Sequence, residues 1–200
     1  MSDIWENAIN LTLNTPLTGT WSGAVNDYQF AVNNTFTGIG QTATTATGAD
    51  VVYKFTAPSA GTYSLRVKAS TSAPDIVLYA LNSIPATTPS TPININSANV
   101  LAGANRNSSN SQPRAEEVYN LSLSANQTIY LVADIASGTS TSGFTVEVNP
   151  TVTETESNDT PATANPLFFG IEGSINQIGD FDYYSLYHFT KSLIQIKHPE

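Results

Sequence analysis

Alternation with a period of two dominates the chain. Val51, Tyr53 and Phe55 alternate with Val52, Lys54 and Thr56, and Tyr63, Leu65 and Val67 alternate with Ser64, Arg66 and Lys68. Such alternation marks strands with one face turned to a core. Pro58-Ser59-Ala60-Gly61 lies between the two runs and supplies turn chemistry, so Asp50 to Lys68 is expected to form a β-hairpin. Ile76 to Leu81 is a continuous apolar run bounded by Pro74-Asp75 and Asn82-Ser83, which reads as a strand covered on both faces. In Val118 to Leu123, Tyr119, Leu121 and Leu123 fall on one face. Ile129 to Ala133 is another short apolar run, and Phe144, Val146 and Val148 alternate with Thr145, Glu147 and Asn149. No window of comparable strength shows a helical period.

The stretch from Pro85 to Arg114 is rich in Pro, Ser, Asn and Thr. It reads as a long loop, with one short strand at Val100-Leu101-Ala102. Six or more short strands with polar turns predict an all-β protein, a jelly-roll-like antiparallel β-sandwich. The pattern changes at Asn149-Pro150. Residues 1–149 are expected to form the sandwich, 150–160 an acidic linker carrying Glu154, Glu156 and Asp159, and 161–200 an incomplete second repeat or tail.

The repeat rests on several echoes. Gly179-Asp180-Phe181-Asp182-Tyr183-Tyr184 follows the pattern of Gly48-Ala49-Asp50-Val51-Val52-Tyr53. Upstream, Glu156-Ser157-Asn158-Asp159 corresponds to Glu6-Asn7-Ala8, and Gly173-Ser174 to Gly19-Thr20. The residues after Pro150 are too few to match the strand set of the first copy. They are expected to be partly irregular or to borrow an edge of the first domain, with Leu193-Ile194-Gln195-Ile196 as an added strand.

Composition narrows the partners. The 200 residues include 7 Lys and Arg against 16 Asp and Glu, a formal net charge of −9. So few cations make no basic footprint, which argues against nucleic acid and anionic membranes. No stretch approaches the roughly 18 apolar residues of a membrane helix. The N-terminus Met1-Ser2-Asp3-Ile4-Trp5-Glu6 does not read as a signal peptide. With no cysteine, disulfides, thiolate nucleophiles and zinc–sulfur sites are excluded.

Two stretches together resemble a known family. Glu154-Thr155-Glu156-Ser157-Asn158-Asp159-Thr160, followed by Gly173-Ser174-Ile175 and Asp180-Phe181-Asp182-Tyr183-Tyr184, looks like the start of a bacterial pre-peptidase C-terminal domain. Asp50-Val51-Val52-Tyr53-Lys54-Phe55-Thr56-Ala57-Pro58-Ser59-Ala60-Gly61-Thr62-Tyr63 resembles the central hairpin of the same fold. The resemblance implies a sandwich appended to secreted proteins, extracellular or on the cell surface, with a role in secretion, stability or attachment. It also implies calcium, which collagen-binding relatives hold with an acidic linker of this type. The first domain departs at its own start, where Trp5-Glu6-Asn7-Ala8 offers a single carboxylate.

The residues themselves point to the same ion. Calcium takes six to eight oxygen ligands. Glu154, Glu156, Asn158 and Asp159 place four oxygen side chains close together. In an extended chain, residues 154, 156 and 158 share a face. Asp180 and Asp182, at i and i+2, are placed to close the site from a strand. The plain alternative is a solvated acidic linker.

Catalysis finds little in the sequence. There is no Gly-x-Ser-x-Gly, no His-Glu-x-x-His and no phosphate loop, and the two histidines, His188 and His198, lie in the divergent tail. Glu116 and Glu117 are adjacent and would point to opposite faces of a strand, unlike a glycosidase pair. Trp5, Trp21, Tyr28 and Phe30 are expected to pack in a core rather than stack on sugars. The reading is a non-catalytic extracellular accessory module. Its rival is a module with a specific polysaccharide or extracellular protein ligand, and an unrecognised hydrolase ranks third.

Overall fold

The computed structural model describes residues 4–29, 46–70, 74–83, 92–95, 99–105, 115–167, 171–173, 181–186 and 192–197. The chain divides into two compact units, Met1–Asn149 and Pro150–Glu200. In the first, a 3-10 turn at Trp5–Asn7 precedes β1 (Ile9–Asn10), β2 (Leu17–Thr20), β3 (Tyr28–Gln29), β4 (Thr47–Gly48), β5 (Asp50–Thr56), β6 (Gly61–Ala69) and β7 (Ile76–Leu81). These are followed by β8 (Ile93–Asn94), β9 (Val100–Ala104), β10 (Ala115–Leu123), β11 (Thr128–Ile135), β12 (Ser137–Gly138) and β13 (Gly143–Pro150).

Two sheets make the sandwich, a five-stranded one in the order β1-β5-β11-β7-β9 and a four-stranded one in the order β10-β6-β13-β2. Pairing is antiparallel except at one edge, where β1 runs parallel to β5 with Ile9 opposite Tyr53. Between the sheets lie Trp21, Val51, Tyr53, Phe55, Leu65, Val67, Leu78, Leu131, Phe144 and Val146, all buried. The buried Trp21 indole packs on Phe144 at 4.1 Å between ring centroids, the rings tilted by 40°, and its Nε1 donates to the Ala133 carbonyl at 2.9 Å. Trp21 and Tyr28 are thus core residues, as their type suggests, while Phe30 lies outside the described residues.

A second apolar cluster covers the outer face of the five-stranded sheet. Tyr28 and Ile95 pack there with Val52, Val77, Tyr79, Leu81 and Val132. Their cover is the short parallel pair β3 and β8, with Tyr28 opposite Ile93. This explains why β7 is buried on both faces along its whole length.

Three expectations need correction. The hairpin at Asp50 to Lys68 is an arch. β5 pairs with β1 and β11, whereas β6 pairs with β10 and lies in the opposite sheet. Val51, Tyr53 and Phe55 therefore face Tyr63, Leu65 and Val67 across the core, where a hairpin would set them side by side. Alternation is identical in the two arrangements, so the pattern alone does not separate them. Tyr119 does not share a face with Leu121 and Leu123. A bulge between Val118 and Leu121, with Asn120 at φ 58°, turns Tyr119 outward to 41% exposure. Finally, the strand expected at Leu193 to Ile196 pairs inside the second unit, described next, and adds to no sheet of the first.

The second unit contains β14 (Val152–Thr153), β15 (Asn165–Leu167), β16 (Ile171–Glu172), β17 (Phe181–Leu186) and β18 (Ser192–Lys197). β14 runs parallel to β16, with Thr153 opposite Glu172. β17 is flanked by β15, parallel, and β18, antiparallel, with Tyr184 opposite both Asn165 and Ile194. The parallel edge reproduces the first unit, where Ile9 stands opposite Tyr53. Among the described residues, no helix is long and apolar enough to cross a membrane.

Candidate metal centre

The acidic segment after β14 is drawn into a corner by its neighbours. The parallel register of β14 and β16 sets Glu154 beside Gly173, one residue beyond the pair Thr153 and Glu172. Asn165, at the start of β15, holds the next residue on both sides: its Nδ2 donates to the Thr155 carbonyl at 3.1 Å, and its Oδ1 accepts the Thr155 N–H at 3.3 Å. The Asn158 carbonyl accepts the N–H of Tyr183 at 3.1 Å, which ties the segment to β17. Asp182 and Tyr184, two apart on β17, project to one face.

On that face the carboxylates meet. Glu154, Glu156 and Asp182 each offer an oxygen, and the three oxygens lie within 4.8 Å of one another. Asp182 is 2% exposed and Glu154 9%, while Glu156 is exposed. Asn158, fully buried, donates from Nδ2 to Glu154 Oε2 at 3.3 Å. That bond fixes which end of the amide faces the carboxylate. Its own Oδ1 is buried with no hydrogen-bond partner among the described residues. The Tyr184 hydroxyl also donates to Glu154 Oε2. Burial, then the bond to Glu154 and the charges of Glu154, Asp182 and Glu156, raises the Tyr184 phenol far above its ordinary range, so it stays a donor.

Such a corner is electrostatically expensive when empty. Two unit charges 4.8 Å apart repel by about 1 kcal/mol in water and about 3 kcal/mol at an effective dielectric near 20. The exposed Glu156 belongs to the low end and the buried Glu154 and Asp182 to the high end. A divalent cation would reverse the sign of these interactions, and oxygen-only donors suit a hard cation.

Of the residues singled out from the sequence, Glu154, Glu156 and Asp182 come together with Asn158 beside them. Asp159 is exposed and stands outside the group. Asp180 lies outside the described residues, as do His188 and His198. Sequence reasoning missed Gly173, Tyr184 and Asn165 as parts of the corner. A Cβ at Gly173 would run into the Tyr184 hydroxyl and the Glu154 carboxylate, so the corner closes only over glycine. The first unit carried the signal: a Cβ at Gly19 would meet the Tyr53 hydroxyl and the Phe144 ring in the same way. There the slot is apolar, and Val51, two residues before Tyr53 as Asp182 is before Tyr184, is buried in the core.

Other surfaces are less concentrated. A depression of about 420 Å³ in the first unit is lined by Trp21, Gly23, Ala24, Thr139, Ser140 and Thr141, with no charged group. Glu116 and Glu117 diverge, as expected: Glu116 is buried opposite Val67, while Glu117 faces Arg66 on the outer face. Arg66 bridges Glu117 at 3.3 Å and Glu147 at 3.2 Å, and Tyr119 donates to the second oxygen of Glu117.

No family model and no curated protein matches this chain. Among solved structures, the pre-peptidase C-terminal domain of a collagenase from Bacillus anthracis is similar at 13% identity and a TM-score of 0.39, covering 70% of this chain and 93% of that one. The K3 cleaved adhesin domain of Lys-gingipain from Porphyromonas gingivalis is similar at 13% identity and a TM-score of 0.26, covering 74% of this chain and 95% of that one.

Proposed function

We propose that this chain is an extracellular accessory module of the pre-peptidase C-terminal type, non-catalytic, and that the acidic corner of its second unit holds calcium. The observation that carries the metal reading is the convergence of Glu154, Glu156 and Asp182 beside a buried amide oxygen of Asn158 that has no hydrogen-bond partner among the described residues. Carboxylates and a neutral amide oxygen are the donors calcium takes. Glu154, Glu156 and Asp182 would supply the charged oxygens and Asn158 the neutral one. Bound there, the ion would supply the positive charge that offsets their repulsion. The protein's own part is to hold the segment against β17 through Asn158, Asn165 and Tyr184.

The accessory role is supported by repetition. Both units place a parallel strand beside a tyrosine-bearing strand, with a glycine under the tyrosine hydroxyl. One copy fills that slot with apolar side chains and the other with carboxylates. Such a tandem suits stabilising, spacing or attaching a larger secreted protein. A polysaccharide or an extracellular protein is the class of ligand that attachment would serve.

The test is a thermal melt with millimolar calcium and with chelator, on the parent chain and on Glu154→Gln/Asp182→Asn. A ligand at 100 times its dissociation constant adds about 2.7 kcal/mol. A calcium-dependent rise confined to the parent is expected. A parent indifferent to calcium, or a rise that survives in the double variant, overturns the metal reading.

A further inference from the structure

The first unit carries a second set of buried carboxyl groups, remote in sequence from the acidic corner. Asp50 and Asp134 are register partners on β5 and β11, and both are fully buried. Directly opposed residues of antiparallel strands project to one face with Cβ atoms about 4.5–5.5 Å apart. By strand alternation this is the face of Val52 and Val132, the outer face that β3 and β8 cover.

The two carboxyls have different partners. Asp50 Oδ2 accepts the backbone N–H of Asp27 at 2.8 Å and of Tyr28 at 3.0 Å. These bonds pin the start of β3, and β3 in turn holds β8, since the N–H of Ile93 donates to the Asp27 carbonyl and that of Ile95 to the Gln29 carbonyl. Asp134 accepts the Tyr79 hydroxyl at 2.9 Å on Oδ2 and the Ile135 N–H at 2.7 Å on Oδ1. The titratable groups acting on this cluster include Tyr79 from β7 and Tyr28 from the cover, with Asp27 and Glu6 acting on Tyr28 in turn. These four are acids or phenols. Lys54, on the same face of β5, lies four residues along, about 13 Å away by strand rise.

We propose that Asp50 and Asp134 form a proton-operated latch: while Asp134 is protonated, Asp50 holds the β3 and β8 cover down, and loss of that proton releases it. The proton passes to solvent, and the second buried negative charge it leaves beside Asp50 is relieved when the two carboxylates separate, so that Asp50 no longer holds the Asp27 and Tyr28 N–H groups. This loosens the cover and uncovers Val52, Val77, Tyr79, Leu81 and Val132. Burial first, and the Asp50 charge second, holds the Asp134 carboxyl well above the ordinary carboxylate range, so the latch is closed in acid and opens as pH rises above that range.

Amide hydrogen exchange across a pH series, corrected for base catalysis, tests this on the full chain and on Asp134→Asn. Protection of the Asp27, Tyr28, Ile93 and Ile95 amides is expected to fall about tenfold per pH unit while one proton is released on opening. It is expected to stay level in the variant, which cannot ionise. Equal pH dependence in both proteins, or a level response in the parent, overturns the latch. If the variant does not fold, the carboxyl carbon resonance of Asp134 in the parent decides. A step above the ordinary range, coincident with loss of protection at the four amides, supports the latch. A step within the ordinary acidic range overturns it.

Discussion

Gly19 offers the sharpest test of the packing that shapes both units. A Cβ at this position would lie 2.6 and 2.7 Å from two Phe144 ring carbons and would also strike the Tyr53 hydroxyl. Carbon atoms settle at roughly 3.5–4.0 Å, so the ring has to retreat by about 1 Å. It has little room. Phe144 is packed against Trp21 at 4.1 Å and meets Tyr53 edge-on at 6.1 Å, and Trp21 is held by its bond to Ala133. Overpacking of this kind costs about 1–3 kcal/mol. At about 2–4 °C per kcal/mol for a chain of this size, Gly19→Ala should lower the first unit's Tm by roughly 2–12 °C. Gly61→Ala is the control, because a Cβ there meets nothing within 4 Å. It should leave Tm unchanged or raise it slightly, by restricting the unfolded chain. Matching melting curves for the two variants in differential scanning calorimetry would refute the close-contact argument.

Three further outcomes follow from the same structure. Gly173→Ala should push Glu154 and Tyr184 apart and abolish the calcium-dependent rise in Tm, without changing the calcium-free melt of the first unit; a preserved rise counts against the corner's geometry. Asp134 makes the first unit's stability pH-dependent. Its raised carboxyl favours the fold fully below the unfolded carboxylate range, and that advantage is lost as pH climbs through the folded value. The urea midpoint should therefore fall over that span, and Asp134→Asn should flatten the profile. Arg66→Met should cost about 1 kcal/mol or less, because its ion pairs with Glu117 and Glu147 are partly exposed. Most of that loss should vanish in 1 M salt, where screening extends to about 3 Å.

The strands of the first unit were legible because burial on one face leaves a period of two. β5, β6, β7, β11 and β13 all stand where the apolar patterns place them. The limits of that pattern are physical. Facing strands across a core and paired strands in one sheet alternate identically, so the arch at Pro58 to Gly61 looked like a hairpin. A bulge adds a residue without changing composition, so strict alternation puts Tyr119 on the wrong face. β11 runs on through Asp134 to Ile135, past the apolar run, because Tyr79 and the Ile135 N–H satisfy the buried carboxyl. In the second unit the acidic residues were legible as a set. Their geometry was not, because Gly173, Asn165 and Tyr184 reach Glu154 and Thr155 through two parallel pairings that leave no local signature.

Terbium luminescence bears most directly on the central claim. Terbium, a hard cation with oxygen preference, occupies calcium sites and is excited through a nearby aromatic ring, and the Tyr184 hydroxyl is bonded to Glu154. The account predicts sensitised emission from the full chain, displaced by excess calcium and lost in Glu154→Gln/Asp182→Asn. Absence of sensitised emission from the parent, or emission undiminished in the double variant, would contradict it.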